Sequence, residues 1–423
     1  MKIAFENNLR FAKTLDRSDH LQSYRSKFFI PEINGKKSIY FSGNSLGLQP
    51  KTTGKFINQE LADWAKLGVE GHEHAERPWL YYHKLSKKIL AEIVGAKPTE
   101  VVAMNQLTVN LHLMMVTFYR PNSSRYKILT EAGAFSSDQY AFESQIKFHG
   151  LNAEDALIEL KPRENEFTLR TEDILTAIEE NANEIALVIF GGVQYYTGQF
   201  FDLKKITEAG QKAGAVVGFD LAHAVGNVDL HLHHHNVDFA VWCSYKYLNS
   251  GPGGIAGVFV HERNFKQTDP LRFAGWWGHQ ESARFEMKKG FKPMDGADGW
   301  QVSNVPVLQA AAHLASLEIF HAAGMKALRN KSIVLTGYLE FLLKENDPLE
   351  KYYKIITPSG AADRGCQLSL YIKRNGQKIF TGLTKKGISL DWREPNVIRL
   401  APVPLYNTFE EVYRFMEIFK SLF

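Results

Sequence analysis

Cysteine is nearly absent: Cys243 and Cys366 are the only two in 423 residues. Two are too few for a disulfide framework, and Cys243 closes an apolar run that reads as a strand, so a reducing compartment suits the chain. Charge of one sign is just as scarce. Lys plus Arg exceed Asp plus Glu by four (50 − 46), without basic or acidic blocks, which leaves no footing for nucleic acid or a charged membrane surface. No run of about 18 apolar residues occurs, so no membrane-spanning helix is expected. The opening MKIAFENNLR has an early acid and lacks the apolar stretch of a signal peptide. Repeats and low-complexity tracts are also missing. These absences predict a cytoplasmic protein whose partners are small molecules, anionic ones included, with no nucleic acid and no membrane. The bulk composition, 44% hydrophobic and 23% charged, supplies a core for one large or two ordinary domains.

The densest chemistry lies in 215–254, AVVGFDLAHAVGNVDLHLHHHNVDFAVWCSYKYLNSGPGG. Two apolar runs, 215–219 and 238–242, are short enough for buried strands. The first ends in Asp220 and His223, the second in Ser244, Tyr245 and Lys246. In open α/β sheets ligands bind beyond the carboxyl ends of the strands, so both clusters are expected in one crevice. The glycine-rich NSGPGG that follows suits a sharp turn and close backbone approach to a ligand. A carboxylate, an imidazole, a phenol and an amine together suit a cofactor with an imine, a ring nitrogen and a phosphate.

Elsewhere strand-like runs at 101–104, 127–130, 185–190 and 255–261 alternate with helical patterns at 51–68, 80–94, 171–181 and 203–213. That alternation predicts an α/β fold with a mostly parallel sheet covered by helices. The chain is loop-rich from Asp269 to residue 306. A long helical region at 307–345 then leads to a smaller α+β unit with strands at 367–372, 389–393 and 397–400. We therefore expect a large domain over 41–304, a linking helix and small C-terminal domain over 305–423, and an N-terminal segment, 1–40, packing beside the latter.

Each candidate has a bland alternative. Asp220 is a buried acid needing a cation or N–H partner, either a salt bridge or the counter-ion of a ring nitrogen. Lys246 either snorkels to solvent or is held desolvated as an imine-forming nucleophile. Its separation from Asp220, 26 residues (246 − 220), matches one strand-to-strand crossover and favours a joint role. Leu107 and Thr108 open a helix whose free N–H groups suit a phosphate, although from the pattern alone ordinary capping is the stronger explanation. His72 and His74 lack metal-site spacing, and the HLHHH run at 231–235 reads as a solvated crossover; no metal is expected. Trp276 and Trp277 read as core or interface aromatics. Arg399 suits a surface acid or a substrate carboxylate.

At FDLAHAVGN and CSYKYLNSGPGG the sequence resembles the kynureninase family, pyridoxal-phosphate enzymes of the type I, aspartate-aminotransferase-like fold and its class V group. YFSGNSLGLQP, GHE with RPW, MNQLTVNLHLMM, FSSDQYA, YYTGQ, GWWGH, QVSN and IRLAPVPLYN extend the resemblance in the same order from about residue 40 to 410. It implies hydrolysis of L-kynurenine or 3-hydroxy-L-kynurenine to an anthranilate and L-alanine, a step of tryptophan catabolism and NAD biosynthesis, by a homodimer. It further implies that Lys246 forms the Schiff base, that Asp220 pairs with the ring nitrogen and that Phe135 stacks on the ring, with Asp138 and His223 nearby. Leu107, Thr108, Tyr245, Trp276 and Asn304 are implied phosphate contacts, some from a partner subunit. Tyr245 is also a candidate donor to the oxyanion or the leaving carbon. Arg399 is implied for the substrate α-carboxylate, and Ser45, His72 and Asn304 for its aromatic end. One departure stands out: Gly191 occupies a position where animal enzymes have serine.

Two competitors are weighed. A cysteine desulfurase or selenocysteine lyase of the same group needs a mobile catalytic cysteine, and both cysteines sit at strand-like runs. A scaffold that has lost catalysis would not be expected to retain Lys246, Asp220 and Arg399 together.

Overall fold

The computed structural model describes residues 3–265 and 270–423. Its main sheet has seven strands: β1 (Val101–Ala103), β2 (Lys127–Glu131), β3 (Leu157–Leu160), β4 (Ile185–Gly191), β5 (Val216–Asp220), β6 (Phe239–Cys243) and β7 (Ala256–Val260), in the order β1-β7-β6-β5-β4-β2-β3. From β6 to β3 all neighbours are parallel. Strands with both faces covered must be apolar at every position, which is why IALVIF and FAVWC lack alternation. Their residues divide between two cores: Val188, Phe190, Ala240 and Trp242 on one face, Leu187, Ile189, Phe239 and Val241 on the other.

The last strand departs from the parallel pattern. After β6 the chain turns back through 244–255 without a crossover helix, so β7 runs antiparallel to β6 and to β1.

The 80–94 pattern does not form one helix. It is broken into Trp79–Tyr81, Tyr82–Leu85 and Lys87–Val94, because Tyr82 turns inward to donate its hydroxyl to buried Glu60, which also accepts from Trp79 Nε1. The final piece stops at Gly95, in the left-handed region at φ 64°. A Cβ there would lie 2.2 Å from the Leu230 carbonyl oxygen. Gly95→Ala is therefore expected to cost about 1–3 kcal/mol, read as a lowered Tm with the fold retained.

The 307–345 region is likewise two helices, Val307–Ala323 and Met325–Asn346, separated by Gly324 at φ 75°. Beyond them lies an antiparallel sheet of β8 (Tyr353–Ile355), β9 (Leu368–Ile372), β10 (Asp391–Arg393) and β11 (Val397–Leu400), ordered β8-β9-β11-β10. Its core joins Leu335, Leu339, Leu370, Ile398 and Phe415 to Ala12 and Phe41 from the beginning of the chain. The helix Leu9–Ser18 is held there by Asp16, which accepts the N–H groups of Phe409 and Glu410 at 2.8 and 2.9 Å.

Of the stretch expected to be loop-rich, Asp269 lies outside the described residues. The rest contains only the short 3-10 turns Trp276–Gly278, Arg284–Glu286 and Gly296–Trp300. Among the described residues no helix is long and apolar enough to cross a membrane.

Candidate active site

Because β2, β4, β5 and β6 are parallel, their last residues, Glu131, Gly191, Asp220 and Cys243, arrive at one edge of the sheet. They line a crevice together with Leu107, Thr108, Phe135, Ser137, Asp138, Tyr195, His223, Tyr245 and Lys246. Of the two clusters expected to share a crevice, Asp220, His223, Tyr245 and Lys246 do so, whereas Ser244 is buried and is not among its lining residues.

One end is acidic. Asp220 is buried, and its Oδ1 accepts the Ala222 N–H at 2.7 Å. Asp138, on the first turn of the helix Ser136–Phe148, lies within hydrogen-bonding reach of Asp220. Burial first, and the Asp220 charge second, push the Asp138 carboxyl well above its usual range. Burial also raises Asp220, but the Ala222 N–H, Lys246 and Asp138 oppose it. The pair therefore keeps its proton on Asp138 and its negative charge on Asp220. Across the crevice Lys246 Nζ lies 3.1 Å from His223 Nε2 and 5.7 Å from the centre of the Phe135 ring. Burial, and then Lys246, hold His223 well below its ordinary value, so it faces the amine as a neutral imidazole.

The other end suits an anion. The helix Leu107–Phe118 begins here without a side-chain cap, as does Ser136–Phe148, for which Phe135 is the capping position. Thr108 Oγ1 and Ser137 Oγ, one from each first turn, are 2.7 Å apart. Two sets of free N–H groups and two hydroxyls thus converge. The Phe135 ring is edge-to-face with Tyr195 at 5.3 Å.

Five expected site residues lie outside this crevice. Trp276 is 46% exposed and donates Nε1 to the Arg284 carbonyl at 3.1 Å. Asn304 and His72 are exposed, His72 edge-on to Trp79, and Ser45 is half-buried in the turn after Ser42. Arg399 is fully buried on β11, donating Nη1 to the Tyr195 carbonyl at 2.7 Å and Nη2 to Asp391, while its Nε has no partner. The glycine-rich 249–254 segment also lies elsewhere, beside Phe29, Leu46 and Leu308 in a separate groove. It makes the reverse turn into β7 and does not approach the crevice.

Glu131, Ser137 and Tyr195 also line the crevice, although the sequence reading did not single them out. Glu131 ends a strand, as Asp220 does, and the same strand-end rule finds it. The histidine run serves the structure instead. His233 Nδ1 lies 2.9 Å from Glu100, which also accepts the Lys97 and Glu262 N–H groups at 2.9 Å each. His261 completes this Glu100–His233–His261 cluster; its Nδ1 accepts from the Arg263 N–H and its Nε2 meets the His233 carbonyl.

Solved structures of this architecture include a cysteine desulfurase from Escherichia coli (TM-score 0.75, 16% identity, 95% of this chain and 98% of that one). A second is a cystine C–S lyase in complex with cysteine persulfide (TM-score 0.76, 16% identity, 90% and 97%). The fold is therefore that of the class V group of type I pyridoxal-phosphate enzymes. The crevice fits that cofactor: it offers an amine, an acid for a ring nitrogen, converging helix N-termini for a phosphate, and a buried His223 Nδ1 that lacks a partner.

Sequence similarity narrows the class. The kynureninase of Flavobacterium johnsoniae is 56% identical over 420 residues, covering 99% of both chains. The human kynureninase is 48% identical over 431 residues, covering 98% of this chain and 92% of that one. Residues 328–419 match the kynureninase C-terminal domain. The chain belongs to the kynureninase family.

Proposed function

We propose that this chain hydrolyses the Cβ–Cγ bond of L-kynurenine, or of 3-hydroxy-L-kynurenine, to anthranilate or 3-hydroxyanthranilate and L-alanine. The observation that carries the reading is identity of about half or more with kynureninases over nearly the whole chain. Pyridoxal phosphate supplies the electron sink that makes the substrate Cα–H acidic. Lys246 would hold it through its aldehyde, Asp220 would face its ring nitrogen, and Phe135 would lie against the ring, with Asp138 and His223 beside it. Leu107, Thr108 and Ser137 would bind its phosphate.

Lys246 would also be the base that takes the Cα proton. Its neighbour His223, neutral and 3.1 Å away, accepts a hydrogen bond from the amine and steadies it. Water adds to the substrate's γ-carbonyl, and collapse of the hydrate breaks the Cβ–Cγ bond. Burial raises the Tyr245 phenol above its ordinary value, so it stays protonated and can donate to the oxyanion or to the departing carbon.

Arg399 would bind the α-carboxylate. Its unpartnered Nε, with Asp391 and the Tyr195 carbonyl holding the other nitrogens, supports this. Lysine cannot reproduce the forked contact. Arg399→Lys is expected to raise KM roughly 10–100-fold, the value of one or two charge-assisted hydrogen bonds, with a smaller change in kcat, measured by steady-state kinetics.

The exposure of Trp276, Asn304 and His72 supports a homodimer in which such residues serve the other subunit's crevice, with Ser45, His72 and Asn304 at the substrate's aromatic end. Two unpaired buried thiols support a cytoplasmic setting. The same thiols weigh against desulfurase chemistry. Burial raises both, Cys366 to about 12, so neither is poised as a thiolate nucleophile.

The test is to purify the holoenzyme, record its visible spectrum, add L-kynurenine and follow anthranilate fluorescence. Appearance of anthranilate with equimolar alanine is expected; absence of both on either substrate would refute the reading.

A further inference from the structure

Three carboxyl groups, Glu131, Asp138 and Asp220, face the crevice, yet among its described lining residues Lys246 is the sole Lys or Arg. His223 is neutral, and burial keeps Tyr245 and Cys243 protonated as well. Three carboxylates opposite one ammonium would leave two buried charges uncompensated, so protons must be retained. Asp138 holds one.

Glu131 is the second place for a proton. It ends β2, and Asp220 ends β5, on opposite sides of β4, whose last residue, Gly191, is in register with Asp220. Glu131 is 4% exposed. Both of its carboxyl oxygens accept from the Gly191 N–H at 3.2 Å, and the Thr130 hydroxyl lies 3.4 Å away. Among the described residues no Lys or Arg is hydrogen-bonded or ion-paired to it. Gly191 makes this arrangement possible: a Cβ would lie 3.0 Å from Glu131 Oε1 and would press the carboxyl out of place.

We propose that Glu131 is a positioning residue carrying the crevice's exchangeable proton. Neutral, it leaves Asp220 as the single carboxylate facing the cofactor's ring nitrogen; ionised, it adds a second negative charge from across Gly191. The inference rests on the reading of Asp220 given above. Burial, partly opposed by the Gly191 N–H, raises Glu131 to about 7. A raised acid is neutral below that value and ionised above it, so the second charge appears as pH climbs through neutrality and should tighten the hold on a cationic ring.

The experiment compares cofactor dissociation constants of wild-type and Glu131→Gln holoenzyme at pH 6 and pH 8. Whatever titrates alike in the two proteins cancels in the ratio. The ratio of the variant's constant to that of the wild type should rise about 10-fold, the equivalent of one pKa unit, because only the wild type gains an anion. Glu131→Asp, which keeps a carboxyl, should show the same pH trend in its affinity as the wild type. A ratio unchanged between the two pH values overturns the proposal, whatever its size. Should Glu131→Gln fail to fold, wild-type holoenzyme carrying carbon-13 glutamate gives an infrared test. A labelled protonated-carboxyl band present at pH 6, lost by pH 8 and missing from equally labelled Glu131→Asp is expected, the variant separating it from Glu411, whose carboxyl burial also raises; absence of the band from the wild type at both pH values overturns the proposal. That readout does not involve Asp220, so it distinguishes failure of this inference from failure of the Asp220 reading.

Discussion

Lys246→Ala is expected to abolish retention of pyridoxal phosphate through dialysis and to lower kcat by at least roughly 10²–10⁴, the contribution of a positioned general base. The two losses should occur together because one nitrogen serves both purposes. Lys246 follows β6 and projects into the crevice 3.1 Å from His223 Nε2, and no other lysine lines that space among the described residues. An added primary amine should restore part of the rate without restoring covalent retention. Visible absorbance after dialysis and turnover of L-kynurenine check the prediction. Retention of both by the variant would contradict the assignment, and a melting curve close to wild type would show that the fold is not the cause.

Asp220→Ala should have the second-largest effect. Its carboxylate is oriented by the Ala222 N–H and kept ionised by sharing the Asp138 proton. Removing it leaves Asp138, still inclined to hold its proton, and Glu131 on the far side of Gly191, so the ring nitrogen loses the carboxylate that faces it. We expect cofactor to bind more weakly and kcat to fall roughly 10²–10³-fold, the usual loss when one preorganised electrostatic partner is removed. Because Lys246 remains, covalent retention should survive, and this separates the two variants. Cofactor content and single-turnover rate measure it; normal turnover in Asp220→Ala would contradict the role given to this residue.

Much of this centre was legible before the structure. Apolar runs ending in Asp220 and in Tyr245 and Lys246 imposed two strand ends, and parallel pairing of β5 with β6 brings those ends to one edge. The direction of β7 was less legible, because an apolar five-residue run reads the same in both directions and only the missing crossover helix betrays the reversal. The break near Tyr82 was hidden as well: its apolar spacing is helical, and the interruption comes from Glu60, a distant buried acid. Glu131 was overlooked because the apolar run stops at Thr130, although the pleat carries the next residue into the crevice. For Trp276, Asn304, Ser45 and His72 no periodicity marks a loop residue as a ligand contact. Their assignments came from resemblance alone, whereas strand geometry also brings Asp220 and Lys246 into one crevice.

The central claim is that water cleaves the Cβ–Cγ bond of kynurenine in this crevice. The most direct test runs the holoenzyme with L-kynurenine in oxygen-18 water and analyses both products by mass spectrometry. Anthranilate carrying solvent oxygen in its carboxylate, formed in equal amount with alanine, is the predicted result. Anthranilate without the label, or a keto acid in place of alanine, would contradict it.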